Sequence, residues 1–361
     1  MMQVDGEVFR SDCLHARGDV PCTPHKQFGT HCDGCTHYAK RAGRILIIKL
    51  GAAGDVIRTT VILEPLTAKY PDHEIWWLTY SPELVPSAVH RVLKPSAENI
   101  VLLQQLHFDV VMNLDKDAQA CALMNAVAAG ERYGFVLRDG LPAPANHLAE
   151  AKYRTGVFDD VNKANTLSYP EEITMMSNLP YTRQEYVMDP PGSSPIAMPP
   201  GGPVVGLNTG CGDRWIAREW PVDYWIQLIG MLQDRGYRVV LLGGPSEHER
   251  NVLLHERTGA IYQGTHAIRN FIAVVNVCDV VVTAVTMAMH IAIGLKKQLV
   301  LMNNIFNKHE FELYDRGVLL EPEKACTCFF QHDCTNPNYR CMEHLQPSTI
   351  ADAVEARLAY V

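Results

Sequence analysis

The chain has 361 residues, 47% of them hydrophobic and 20% charged, with a formal net charge of −8. That length suits two domains of ordinary size, and that balance suits a globular protein. No basic stripe of the kind nucleic-acid binders carry is present, so nucleic acid is not an expected partner.

Residues 1–40 are polar, rich in Cys, His and Gly, and show no hydrophobic period, so they read as a Cys-rich N-terminal extension. The first charges (Asp5, Glu7, Arg10, Asp12) leave no room for the apolar stretch of a secretory signal. A cytoplasmic location is expected. The chain has 11 cysteines, and eight of them form two groups near its ends. Cys13, Cys22, Cys32 and Cys35 are spaced C-x8-C-x9-C-x2-C, with His25 and His31 among them. Cys326, Cys328, Cys334 and Cys341 are spaced C-x-C-x5-C-x6-C. In a reducing compartment such groups read as ligands for structural zinc or iron rather than as disulfides, and an iron–sulfur cluster is also open.

Residues 41–188 show repeated β–α alternation. The run ILIIKL before Gly51 suits a central parallel strand, buried on both faces. A helix is expected from about Asp55 to Tyr70, stopped by Pro71. EIWWLTY, IVLLQQ and FDVVMNLD read as strands, Ala118–Ala129 as a helix, and RYGFVL as a further strand. Residues 189–203 hold six prolines and three glycines, which suits a linker and excludes a helix or central strand. The alternation restarts over 204–346. PVVGLNT, YRVVLLGG, DVVVTA and QLVLMNN read as strands, with helices at Val222–Arg235, SEHERNVLLHERT, Ala267–Val277 and from Met287. A last helix is expected at Pro347–Leu358, within the terminal segment 347–361. The apolar stretch Val277–Leu295 contains Asp279, Thr283, Thr286 and His290, so it reads as strand then helix rather than as a membrane span. The pattern predicts two doubly wound α/β domains, with ligands held beyond the carboxyl ends of the strands.

Three strand–helix junctions carry chemistry. At Gly51–Thr60, glycines let the backbone approach a ligand and a helix start favours an anion, but the spacing is not a dinucleotide fingerprint. Asp55 there is either a helix cap or an acid–base group. Arg58 falls in the expected first turn, where the helix dipole disfavours a cation, so it reads either as answering an anion or as a surface charge. At Asn208–Pro221, Thr209, Gly210 and Gly212 offer hydroxyl and amide donors, and Arg214 and Arg218 can grip phosphate. Gly243 and Gly244 form a similar turn. At Thr283–His290, Thr286 and His290 fall one helical turn apart.

RILIIKLGAAGDVIRTTVIL, FDVVMNLDKD, NTG…WIAREWP and VVTAVTMAMHIAIGL, in this order, resemble glycosyltransferase family 9, the ADP-heptose:lipopolysaccharide heptosyltransferases. The resemblance implies a GT-B fold, two Rossmann-like domains facing a cleft, with the acceptor at the first and the nucleotide-sugar donor at the second. It implies inverting transfer without a catalytic cofactor. Asp55, with Gly54 beside it, would be the general base. Thr209, Gly210, Arg214, Arg218, Gly243, Gly244, Thr286, Met289 and His290 would hold the donor, and Arg58 would serve the acceptor or a phosphate. Expected partners are ADP-heptose and a glycolipid or glycan acceptor at the inner membrane surface. One departure concerns the sugar: where family members carry Asp-Thr-Gly, this chain has Val285, Thr286 and Met287. Asn303, Asn304, Lys308, Glu310 and Glu312 lie where they could replace the lost polar contact. Rival readings are transfer of another sugar, epimerisation of a nucleotide sugar, a protein acceptor, or a non-catalytic metal-binding scaffold.

Overall fold

The N-terminal extension opens with a hairpin of β1 (Met2–Val4) and β2 (Glu7–Phe9), followed by α1 (Thr23–Phe28). The computed structural model describes residues 2–212 and 214–361. Its chain divides into two compact units. One comprises Met1–Gly51, Ile62–Tyr153 and Ile173–Thr182, and the other comprises Ala52–Val61, Arg154–Glu172 and Arg183–Val361.

In the first unit the ILIIKL run forms β3 (Gly43–Ile48), whose last four residues are buried. The chain continues through α2 (Ala53–Thr59), which belongs to the second unit, and α3 (Leu63–Lys69). β4 (His73–Leu78), β5 (Arg91–Leu93), α4 (Ala97–Gln104), β6 (His107–Asn113), α5 (Ala118–Ala126), β7 (Ala128–Arg138) and β8 (Leu141–Pro144) follow. Strand order is β5-β4-β3-β6-β7-β8, parallel except for the antiparallel last pair. This is the dinucleotide-fold order, reversing between β3 and β6. At that reversal the buried Lys49 and Asp115 side chains are paired, and Asp115 also accepts from the Leu50 amide. Leu46, Ile48, Trp76 and Phe108 pack one face of the sheet. Burying such aliphatic and aromatic side chains stabilises by about 1.5–3 kcal/mol each.

Helices α6 (Glu150–Thr155), α7 (Asp159–Ala164) and α8 (Tyr169–Met176) occupy a stretch whose sequence gives no clear period. The second unit then builds a parallel sheet from β9 (Val204–Asn208), β10 (Arg238–Leu242), β11 (Val280–Ala284), β12 (Gln298–Met302) and β13 (Gly317–Leu320), in the order β10-β9-β11-β12-β13. Every residue of β9 and β11 is buried, as continuous apolar runs in a parallel sheet require. α9 (Val222–Asp234), α10 (His248–Thr258), α11 (Ile268–Asn276), α12 (Met287–Gly294) and α13 (Pro347–Leu358) complete the unit. Trp220 and Trp225 meet edge to face at 4.8 Å in its core, and the Trp220 indole donates to the Leu345 carbonyl at 2.9 Å.

Three expected elements differ, the first being the helix expected from Asp55 to Tyr70, which a 3-10 turn at Thr60–Ile62 divides into α2 and α3. IVLLQQ, expected as a strand, lies in α4. The Ser96 side chain accepts from the Asn99 amide at 3.3 Å and starts the helix, while Val101 and Leu102 stay exposed. A short apolar run does not by itself separate strand from buried helix, and the cap decides it. The helix expected to Ala129 ends at Ala126, because the chain enters β7 at Ala128. The Val277–Leu295 stretch is β11 followed by α12. No helix among the described residues is long and apolar enough to cross a membrane.

Candidate active site

In the second unit, strand order reverses between β9 and β11. Ligands of open α/β sheets collect beyond the carboxyl ends of the strands at such a reversal. A cavity of about 510 Å³ lies there, lined by the loops after β9, β10 and β11 and by α2. It brings together Gly54, Asp55, Arg58, Gly210, Arg214, Arg218, Gly244, Thr286 and His290, all expected from sequence.

Asp55 is the third residue of α2 rather than its N-cap, but its carboxylate still serves the helix start by accepting from the N-cap amide. Its Oδ2 lies 3.4 Å from the Ala52 amide, and its side chain is 31% exposed. Arg58 corrects an expectation: α2 stops at Thr59, so Arg58 lies in the last turn, where the dipole does not oppose its charge. It answers carboxylates of the chain itself. Its Nε is 2.9 Å from Asp55 Oδ1 and its Nη1 is 2.6 Å from Glu310 Oε1. Its guanidinium sits 3.5 Å from the centre of the Tyr169 ring. Burial works against that charge, but Asp55 and Glu310 outweigh it and hold the guanidinium firmly protonated.

His290 packs directly on α2. A Cβ on Gly54 would come within 2.6 Å of the His290 Cδ2. Burial, reinforced by the Arg58 charge and opposed by Asp55, pushes His290 down to about 3, so the imidazole is neutral at physiological pH. Its Nδ1 is buried without a partner among the described residues. Thr286 precedes the first turn of α12 and is tied to Thr283 at 3.0 Å and Asn208 at 3.3 Å. Met289, expected at the donor, is fully buried in the core and does not line the cavity.

The loop after β9 departs from expectation in its details. The Thr209 hydroxyl turns into the core and donates to Asn251 at 2.5 Å. Gly243 lies outside the cavity lining. The amides of Gly212 and Gly244 donate to the two oxygens of Glu247, at 3.2 and 2.8 Å. Sequence reasoning treated Glu247 only as part of a helix, since nothing local shows that a residue of one loop reaches another. Arg218 is buried and braces its own loop, donating to the carbonyls of Cys211 at 2.8 Å and Trp215 at 3.3 Å. Burial lowers its pKa from the usual value. Arg214 is the exposed guanidinium at the cavity, 5.3 Å from the Trp215 ring centre. Val285 borders the cavity as an apolar group, and Glu310 is the polar residue after β12 that reaches it together with Arg58.

Trp215, Phe306 and Phe330 form an aromatic wall of the cavity that sequence reading missed, with centroids 5.1–6.2 Å apart. The C-terminal cysteine segment holds it: Phe330 donates its amide to Ile305 and His332 accepts from the Ala217 amide. There Cys328 and Cys334 sulfurs lie 3.8 Å apart, and sulfurs of Cys326, Cys328 and Cys341 accept from the Cys328 amide, the Thr335 amide and the Asn304 side chain. Burial opposes ionisation of Cys328, but its hydrogen bonds from Thr335 prevail and bring it down to about 7. All eleven cysteines are free thiols. Among the described residues, no group of three or more His, Cys, Asp or Glu side chains is arranged to hold a single metal ion, which includes the sets Cys13, Cys22, Cys32, Cys35 and Cys326, Cys328, Cys334, Cys341.

The chain is 24% identical over 242 residues to lipopolysaccharide heptosyltransferase 1 of Escherichia coli (strain K12), covering 59% of this chain and 72% of that one. Its structure resembles E. coli ADP-heptose lps heptosyltransferase II, with a TM-score of 0.65, 17% identity, and 88% and 99% of the two chains covered. It also resembles E. coli heptosyltransferase WaaC with ADP, with a TM-score of 0.60, 18% identity, and 88% and 100% covered. These likenesses show the GT-B fold. The family model for glycosyltransferase family 9 (heptosyltransferase) matches residues 101–315, more than half of the sequence. The chain therefore belongs to glycosyltransferase family 9 and is a glycosyltransferase of heptosyltransferase type.

Proposed function

We propose that this enzyme transfers heptose from ADP-heptose to a lipopolysaccharide-type glycan acceptor with inversion, and that Asp55 is its general base. The observation that carries the reading is the carboxylate of Asp55 at the cavity, oriented by Arg58, which Glu310 and Tyr169 hold from the other side. In the proposed step Asp55 takes the proton of an acceptor hydroxyl. The freed oxygen bonds to the anomeric carbon, and the bond from that carbon to the diphosphate breaks, its electron pair leaving on ADP. Arg214 is the exposed cation at the cavity for the departing diphosphate. The Trp215–Phe306–Phe330 wall offers a stacking surface for the base. Support for the nucleotide comes from the relatives: one is described with ADP bound and another as an ADP-heptose enzyme. The acceptor implies work at the cytoplasmic face of the inner membrane.

Val285 favours a second reading, in which the sugar differs, because a valine side chain cannot accept or donate a hydrogen bond to a sugar hydroxyl. The test is a panel of ADP-, UDP-, GDP- and CDP-sugars, read by thermal shift and by donor consumption with a deacylated lipopolysaccharide core. ADP-heptose alone should stabilise the protein and be consumed. Stabilisation by ADP with consumption of a different ADP-sugar would replace the heptose reading. No response to any nucleotide sugar would reject both.

A further inference from the structure

The N-terminal extension has more cysteines than core. Among residues 2–40 only Cys13 and Pro24 are buried, while Met2, Val4, Val20 and Phe28 are large apolar side chains left exposed. A segment of about 40 residues cannot build a sufficient apolar core, and such segments rely on disulfides or metals. Disulfides are not the staple here, because every cysteine is a free thiol. Yet the segment has definite turns. Asp5 and Gly6 take left-handed conformations at the tip of the hairpin, and Gly29 ends α1 at φ 66°.

Cys13, Cys22, Cys32 and Cys35 all line a single cavity of about 630 Å³ within the extension, together with His25 and His31. Cys13 is anchored by a bridge to Lys40. Cys32 and Cys35 are brought round by Gly34, whose φ of 66° is open to glycine at little cost. Both histidines have other work. His25 Nδ1 is 2.9 Å from the Thr30 carbonyl, and His31 Nδ1 is 3.0 Å from the Glu7 carboxylate.

Two kinds of thiolate site differ in the sulfur separation they require. Four sulfurs around one zinc ion at about 2.3 Å would lie about 3.8 Å from one another. No three of these side chains are arranged for one ion. All four border a shared cavity that also has Phe9 and Val20 on its walls. A cubane of iron and sulfide binds its four thiolates at separate corners, so it accepts a wider set, and apolar walls shield it from solvent.

We propose that the N-terminal extension binds a [4Fe–4S] cluster through Cys13, Cys22, Cys32 and Cys35. The cluster takes the place of the missing core and holds the hairpin, α1 and the Cys32–Cys35 turn together. The proposal stands apart from the sugar-transfer reading, since none of these residues borders the cavity at Asp55.

The test uses full-length protein purified anaerobically and, in parallel, reconstituted with ferrous iron and sulfide. About four iron and four acid-labile sulfide per chain are expected, with the broad visible absorption of a cubane. Cys22→Ser and the double variant Cys32→Ser/Cys35→Ser should lose both, while His25→Ala and Cys328→Ser keep them. Unchanged far-ultraviolet circular dichroism of the variants would show that the rest of the chain is folded. One zinc per chain without sulfide, no metal after reconstitution, or a cluster that survives Cys22→Ser but not Cys328→Ser would each overturn the proposal.

Discussion

Arg58 and Asp55 form an ion pair one helical turn apart, with Nε and Oδ1 separated by 2.9 Å. Because Glu310 takes the other end of the guanidinium at 2.6 Å, two carboxylates depend on one cation that is itself only 13% exposed. Removing one partner of a buried pair costs about 3–5 kcal/mol, since the remaining charge is left uncompensated. Arg58→Ala is expected to lose roughly that much stability in urea unfolding, discounted for the partial exposure of Asp55. A loss below about 0.5 kcal/mol would mean the pair behaves as an ordinary surface contact.

Asp55→Asn keeps the shape of the side chain and removes its basicity. Turnover should fall roughly 10²- to 10⁴-fold, the usual contribution of a positioned base. ADP affinity by calorimetry should stay within about twofold, a change of about 0.4 kcal/mol. Turnover close to that of the parent would remove Asp55 from the role of base.

Gly54→Ala tests the contact between α2 and α12. The new methyl would meet His290 at 2.6 Å, and either the ring or the helix must shift. Since overpacking costs about 1–3 kcal/mol, a lowered unfolding midpoint and impaired turnover are expected together. His290→Ala in the same chain should restore much of the stability. Failure of that rescue would place the strain elsewhere.

Much of this was legible in the sequence, and what was missed has a common cause. Continuous apolar runs such as ILIIKL and DVVVTA announced central parallel strands, and the turns after them border the candidate cavity. Asp55 and Arg58 were visible because they follow a strand and a glycine turn. Their partnership with Glu310 was not, because 252 positions separate Arg58 from Glu310. The bond from the Gly212 amide to Glu247 escaped notice for the same reason, since the two lie in different loops, whereas Gly244 stands only three residues before Glu247. Thr209 was placed in the correct loop but turns into the core, and Arg218 borders the cavity with its guanidinium spent on its own loop, since strand position fixes which loop a residue enters and not what its side chain contacts. Arg58 was assigned to the wrong end of its helix because the early stop at Thr59 leaves no mark as clear as a proline or glycine.

His290 gives a pH signature. Its pKa is depressed to about 3 in the folded chain, against an ordinary value of 6.5. The unfolded chain therefore binds one more proton between those limits, so stability is fully present above pH 6.5 and is lost as pH falls towards 3. A single proton accounts for up to about 1.4 kcal/mol per pH unit. His290→Gln should show a shallower decline than the parent between pH 6.5 and 4 in denaturant titrations. Parallel declines would mean His290 is not the buried neutral group described.

Glu247 holds the loops after β9 and β10 together through the Gly212 and Gly244 amides. Glu247→Ala should loosen both and weaken ADP binding about tenfold, or 1.4 kcal/mol. Tighter binding would show instead that the carboxylate competes with the nucleotide for those amides.

The assignment of α2 to the second unit bears on how relatives can be recombined. A chimera joined at the proline-rich stretch 189–203 would inherit Gly54, Asp55 and Arg58 from one parent and His290 and Glu310 from the other. The two parents would have to match at that seam as closely as two halves of an interface, even though the junction lies more than 100 residues away in the chain from Asp55. A library that exchanges residues 52–61 and 154–172 together with everything from 183 onwards should yield folded enzymes far more often than one that cuts only once.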